Sequence, residues 1–271
     1  MNKKIDHLLL IPLIIFSIYS ALTVGETWDQ SDSLIRGKIT LDYLFSLGRV
    51  DNDISMREYY STIYWSLLYL ITEIFPSKYE IQISNLVNLL FSIFTLFGIK
   101  KLCKELFNDK IAKITFLVLF FTPLFFGHMS FNTKDTILAF SHVWIFYLLI
   151  RYVRKQHIKE KRNRYTFYLG ILAALATGIQ LFFLGSLIPI IFFFILEIFF
   201  IKKIINVNFD QKKLIFDLIK SFLVFYALLI LFWIDVHPNI LTLPYEFISK
   251  TFSDTFWTGW IFNLVDGEYF F

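Results

Sequence analysis

The sequence predicts an all-α polytopic membrane protein, with about seven transmembrane helices and a juxtamembrane helix in the first outer loop. Three observations carry this expectation. The 271 residues are 56% hydrophobic, include 34 Phe and have a mean hydropathy of +0.61, outside the range of water-soluble domains. Uncharged apolar runs recur at lengths suited to a hydrocarbon core of about 30 Å, which takes about 20 helical residues. The polar segments between those runs alternate in charge sign.

In chain order, crossings are expected at residues 8–24, 81–99, 111–126, 136–150 and 214–234. The apolar stretch between Arg164 and Lys202 would span about 55 Å as one helix, at about 1.5 Å per residue, so it reads as two helices joined near residues 180–185. Residues 63–75 are apolar but short, carry Tyr64, Trp65 and Tyr69, and follow Tyr59 and Tyr60. Such a piece lies in the interface rather than spanning. Charge supports this choice. If the segment does not cross, Lys3/Lys4 and the clusters at 100–113, 151–164 and 202–220 share one side and hold most of the 26 Lys and Arg, while most of the 22 Asp and Glu fall on the other. That is the positive-inside pattern. The outer parts of this single domain, residues 1–271, are then the loops 25–80 and 127–135 and the terminal segment 235–271.

The lone Cys103 sets up neither a disulfide framework nor a zinc-type cluster. The first apolar run reads as a retained anchor rather than a cleaved signal, since no clear small-residue cleavage site follows it. The basic run 151–164 is explained by its place beside a membrane, so no nucleic acid is called for. Gly170, Ala174 and Gly178 recur every four residues and predict close approach of another helix. Glu197, Asp217 and Lys220 fall near the cytoplasmic helix ends, where paired or long side chains reach the interface.

Chemistry is therefore expected in the outer loops. The first begins where the first helix leaves the membrane and places Glu26, Asp29 and Asp32 near the surface, where a carboxylate can act as general base on a membrane-held substrate. The second, FFGHMSFNTKD, runs into the fourth crossing and sets His128, Asn132, Lys134 and Asp135 at a helix N-terminus, a place that favours a phosphate. Bland readings stand beside these: a solvated loop acid for Asp29, a helix-dipole partner for Asp135 with Asn132 or Thr133 as the N-cap, interfacial Lys134 and His128, and a structural His142. Trp257, Trp260, Tyr269, Phe270 and Phe271 read as an interface belt. Arg36, Lys38, Arg49 and Arg57 either bind phosphate or balance nearby acids.

The order of these parts resembles the polyprenyl-phosphate-sugar-dependent glycosyltransferases of the GT-C fold, relatives of the protein O-mannosyltransferases and the lipid A aminoarabinose transferases. In several bacterial members an Asp-Glu pair is followed by a glycine eight residues after the Asp, and the second motif resembles FGHSFINPKD. Asp29 and Gly37 fit the first spacing, while Gly127-His128, Phe131-Asn132 and Lys134-Asp135 fit the second. The resemblance implies a sugar donor linked to polyprenyl phosphate, an acceptor hydroxyl, and inversion with Asp29 as base. Asp135 joins it as a second catalytic acid, with Lys134, His128, Asn132, Arg57 and Gln30 as substrate-binding groups. Gln30 stands where the pair normally has Glu. A divalent ion is a candidate cofactor, with Asp29, Asp32, Asp135 and His128 as its ligands. Composition rich in Ile, Lys, Asn and Phe points to a bacterial inner membrane with the site facing the periplasm. Because these transferases usually run longer, the chain is expected to be incomplete at its C-terminus. A transporter or flippase of lipid-linked sugars, and a non-catalytic assembly subunit, are the alternative classes. The first would need internal repeats and midplane polar groups, and the second would need none of the outer acids.

Overall fold

The computed structural model describes residues 3–27, 30–49, 61–206, 209–253, 263–265 and 268–270. These form an all-α membrane protein, joined by one short antiparallel strand pair, Asn263–Val265 with Glu268–Phe270. The helices are α1 (Lys3–Thr23), α2 (Gln30–Phe45), α3 (Ile63–Thr72), α4 (Glu80–Leu106), α5 (Asp109–Phe120) and α6 (Pro123–His128). They continue with α7 (Asp135–Lys155), α8 (Lys159–Ile179), α9 (Phe183–Ser186), α10 (Ile188–Leu196), α11 (Gln211–Leu231) and α12 (Leu243–Ser253).

Among the described residues, four helical stretches are long and apolar enough to cross a bilayer by themselves: Ser77–Leu106, Asp135–Lys155, Phe183–Ile201 and Gln211–Leu231. Side-chain pairs give their directions. Asn88 meets Asn132 near the starts of α4 and α7, and Glu105 meets Arg151 and Arg154 near their ends, so these two helices run parallel. Arg162 reaches Asp217 at 3.4 Å, and further along both helices Gly170 lies against Ser221 and Val224, so α8 and α11 also run parallel. The bundle thus has two ends. One carries residues 24–27, α2, α3 and the 129–134 loop; the other, the basic end, carries the Glu105–Arg151–Arg154 cluster.

Close helix contact follows the small residues. A Cβ on Gly170 would come within 2.6 Å of the Ser221 carbonyl of α11, and one on Gly178 within 3.1 Å of the Ser61 carbonyl. The stripe read in the sequence is thus a packing surface used on two sides.

Three elements differ from their sequence expectation. The crossing at 111–126 is broken: α5 stops at Phe120, Thr122 is extended with ψ 115°, and Pro123 opens α6. Proline lacks the N–H that would continue the helix and pushes the preceding residue out of the helical region. The interfacial segment forms α3, but its aromatics turn inward, with Tyr64 and Trp65 buried in a core with Leu34, Leu68, Ile137, Leu175 and Ile179. The first outer loop contains a full helix, α2, whose buried face is Gln30, Ser33, Leu34, Gly37, Thr40 and Leu41. That helix ends where Leu47 and Gly48 take positive φ and the Gly48 N–H bonds back to the Tyr43 carbonyl at 2.9 Å.

Candidate active site

α4 begins with a polar stripe that a lipid-facing helix would not tolerate. Ser84, Asn85, Asn88, Ser92 and Thr95 fall at helical spacing and are all buried. Polar side chains inside a membrane helix turn to the bundle interior and pair there. Asn85 donates to the carbonyls of Ala21 at 3.2 Å and Val24 at 3.1 Å, fastening the exit of α1. Its Oδ1 accepts from Gln30 Nε2 at 2.9 Å, and the same Nε2 lies 2.9 Å from Ser84 Oγ. The Thr27 N–H reaches Gln30 Oε1 at 3.3 Å. Gln30 is 1% exposed, so every polar atom of its amide is satisfied inside the protein.

One turn further along α4, Asn88 holds the second loop. Its Nδ2 donates to the carbonyls of Asn132 at 3.0 Å and Met129 at 3.3 Å. Its Oδ1 accepts from Thr136 Oγ1 at 2.9 Å and Tyr64 Oη at 3.2 Å. Burial pushes the Tyr64 hydroxyl well above its usual range, so it stays a donor at any physiological pH. Ser92 adds a bond to the Met129 carbonyl at 2.8 Å.

Within the loop, Asn132 is the organising side chain. Its Oδ1 accepts from the N–H groups of Lys134 at 3.2 Å and Asp135 at 2.8 Å, closing the turn that leads into α7. Its Nδ2 donates to Asp135 Oδ2 at 2.9 Å and to His128 Nδ1 at 3.2 Å. His128 Nδ1 is then the acceptor, which places the imidazole proton on Nε2. The N-cap position is Lys134, not Asn132 or Thr133 as expected, and Asn132 joins His128 and Asp135 in one cluster beside it. Asp135 and Lys134 are exposed, and His128 is half-buried.

The remaining sequence candidates are placed as follows. Asp29 and Arg57 lie outside the described residues, as do Trp257, Trp260 and Phe271; for Tyr269 and Phe270 only the backbone, in a strand, is described. Asp32 is exposed in the first turn of α2. Arg36 stacks over Trp65 at 5.6 Å from the ring centroid. His142 sits between the Leu138 carbonyl at 3.2 Å and Ser186 Oγ at 2.9 Å, with its ring against Phe183. Among the described residues, no three His, Cys, Asp or Glu side chains form a group that would hold a metal ion. Sequence reading placed Tyr64 in the interface and missed Ser84, Asn85 and Asn88 on α4. Their signal was the helical spacing of polar residues in an otherwise apolar run.

Gly37, matched in the sequence by its distance from Asp29, has a structural reason. A Cβ there would fall 2.2 Å from the Trp65 carbonyl oxygen, so only glycine lets α2 lie against α3. Thr40 and Thr62 then bond across the same seam at 2.8 Å, and the Thr62 N–H reaches the Phe232 carbonyl at 3.0 Å.

The model of the dolichyl-phosphate-mannose-protein mannosyltransferase family matches residues 62–230, more than half of the chain. The chain belongs to this family. The match takes in α4, the whole second loop and α7, and begins within the first outer loop, after Glu26, Asp29 and Asp32. No curated protein and no solved structure matches the chain. Membership makes the protein an integral membrane glycosyltransferase of GT-C type. The buried amides of α4 in this glycosyltransferase therefore position loops at the end of the bundle where its polar groups gather.

Proposed function

We propose that the protein transfers a sugar from a polyprenyl-phosphate donor to an acceptor hydroxyl with inversion, on the non-cytoplasmic face of a bacterial inner membrane. The carrying observation is the pair of amides on α4: Asn85 holds the residue that follows Asp29, and Asn88 holds the loop that leads to Lys134 and Asp135. Side chains three residues apart on a helix are about 5–6 Å apart at Cβ, so both acidic loops are tied to one short face. Asp29 then takes the proton of the acceptor hydroxyl as its oxygen attacks the anomeric carbon. The polyprenyl phosphate leaves toward Lys134 and the start of α7, where the ammonium and the positive end of the helix dipole meet its developing charge. Asn132 and His128 keep that loop in shape, and Gln30 acts through Asn85 as a positioning group. The mannosyl group named for the family is the first sugar to test.

The experiment is transfer from polyprenyl-phosphate-mannose by the purified chain in liposomes. Asp29→Asn is expected to lower turnover by about 10²- to 10⁴-fold, the usual worth of a general base. Donor binding and thermal stability stay near wild type. Full activity in that variant rejects Asp29 as the base, and an inactive wild type with each donor offered rejects the donor class.

A further inference from the structure

The basic end carries a cleft that the transfer chemistry does not use. It encloses about 640 Å³ and is lined by apolar Ile198, Ile205 and Phe209 together with Lys202, Asp210 and Lys212. Described residues on both sides of it are held by buried polar groups. The Glu197 carboxylate, 1% exposed, accepts from the N–H groups of Ile204 and Ile205 at the end of a π-helical turn, after which Lys202 takes a left-handed conformation with φ 54°. Fully buried Gln156 grips Asp210 from both sides, donating to its carbonyl at 2.9 Å and accepting from its N–H at 2.7 Å.

We propose that this cleft binds the headgroup of an anionic glycerophospholipid from the leaflet on the basic side. Three features point to that ligand. The Asp210 carboxylate is already engaged by the Lys213 ammonium at 3.1 Å and the Lys212 N–H at 2.9 Å, and the Lys213 pair holds it below the usual carboxylate range. Its charge is therefore answered locally. Lys202 and Lys212 are exposed and, among the described residues, make no ion pair, so the cleft presents two cations to an incoming phosphate. The residues next to it, Phe199, Phe200, Ile215 and Phe216, are all more than half exposed, a wall suited to acyl chains rather than to water. A soluble phosphate would use the lysines but not the apolar lining. A lipid uses both.

The test is lipid retention by the purified full chain, read by native mass spectrometry after exchange into phosphatidylglycerol–phosphatidylcholine mixtures. Wild type is expected to retain phosphatidylglycerol preferentially. Lys202→Gln with Lys212→Gln together lower that preference by about tenfold or more, each lysine near a membrane surface being worth about fivefold. Lys212→Glu alone lowers it at least as far as loss of one lysine. Lys159→Gln with Lys161→Gln, which removes two exposed lysines outside the cleft, leaves it within about twofold of wild type. Three results overturn the proposal: an unchanged preference in the cleft double variant, an equal loss in the Lys159/Lys161 control, or displacement of the lipid by millimolar inorganic phosphate. The last identifies a soluble-anion site instead.

Discussion

Asn85 and Asn88 lie one turn apart on α4, and each holds a different loop. Asn85 accepts from Gln30 at 2.9 Å, and Asn88 donates to the Asn132 carbonyl at 3.0 Å. A single helical turn therefore sets the relation between the segment entering α2 and the segment entering α7. Because neither amide has room to relax, the consequences are testable.

Asn88→Asp removes both donors to the 129–132 loop while keeping the acceptor for Thr136 and Tyr64. The Met129 and Asn132 carbonyls keep only the hydroxyls of Ser92 and Thr136, and stability is expected to fall by about 1–3 kcal/mol, with transfer reduced about tenfold or more by displacement of the loop. Thermal unfolding in detergent and initial rates read the two effects separately. Wild-type values in both would remove the anchoring role of Asn88.

Gln30→Glu puts a carboxyl where Ser84 Oγ and Asn85 Oδ1 now receive an N–H. Burial should raise the new carboxyl above its ordinary pKa of about 4.3. The folded form then binds more protons than the unfolded form between that ordinary value and the raised one, so the variant loses stability as pH rises through the window. Melting temperature measured from pH 4 to pH 8 should fall with pH relative to wild type. A parallel pair of curves would mean that the side chain has found water.

Gly37→Ala forces a methyl group against a backbone carbonyl that lies 2.2 Å from the Cβ position. Backbone cannot swing aside as a side chain can, so the expected loss is about 1–3 kcal/mol. Gly127→Ala and Gly185→Ala meet nothing within 4 Å and should remain within about 0.5 kcal/mol of wild type. Comparable melting of all three variants would contradict the α2–α3 contact.

Asn132→Ala and Lys134→Gln should separate turn closure from ligand binding. The first deletes the bonds to the Lys134 and Asp135 N–H groups and the contacts to His128 and Asp135, lowering stability by about 1 kcal/mol as well as activity. The second keeps the backbone bonds that Asn132 makes and is expected to raise the KM for the polyprenyl-phosphate donor about tenfold, since a charge-assisted phosphate contact carries roughly that much. An unchanged KM in Lys134→Gln assigns the donor phosphate elsewhere.

Much of this architecture was legible along the chain because it depends on local properties. The long apolar runs place α4, α7, α10 and α11, and Gln180 interrupts the apolar stretch beyond Arg164 where α8 ends. His128, Asn132, Lys134 and Asp135 are close in sequence, so their joint placement at the start of α7 also followed from order alone. The helix α2 was hidden for a specific reason. Its buried face includes Gln30, Ser33, Gly37 and Thr40, which in a sequence window look like solvent-exposed loop residues.

What the sequence by itself determined is where the long apolar helices run, since burial in lipid acts residue by residue. Only the tertiary structure decided that polar α2 belongs inside, that Tyr64 and Trp65 face the core, and that two asparagines on α4 tie separate loops together. A buried polar group is stable only when its partner is present, and here the partners lie tens of residues away. Asn85 serves Gln30 across 55 positions and Asn88 serves Asn132 across 44, distances that no local pattern can report.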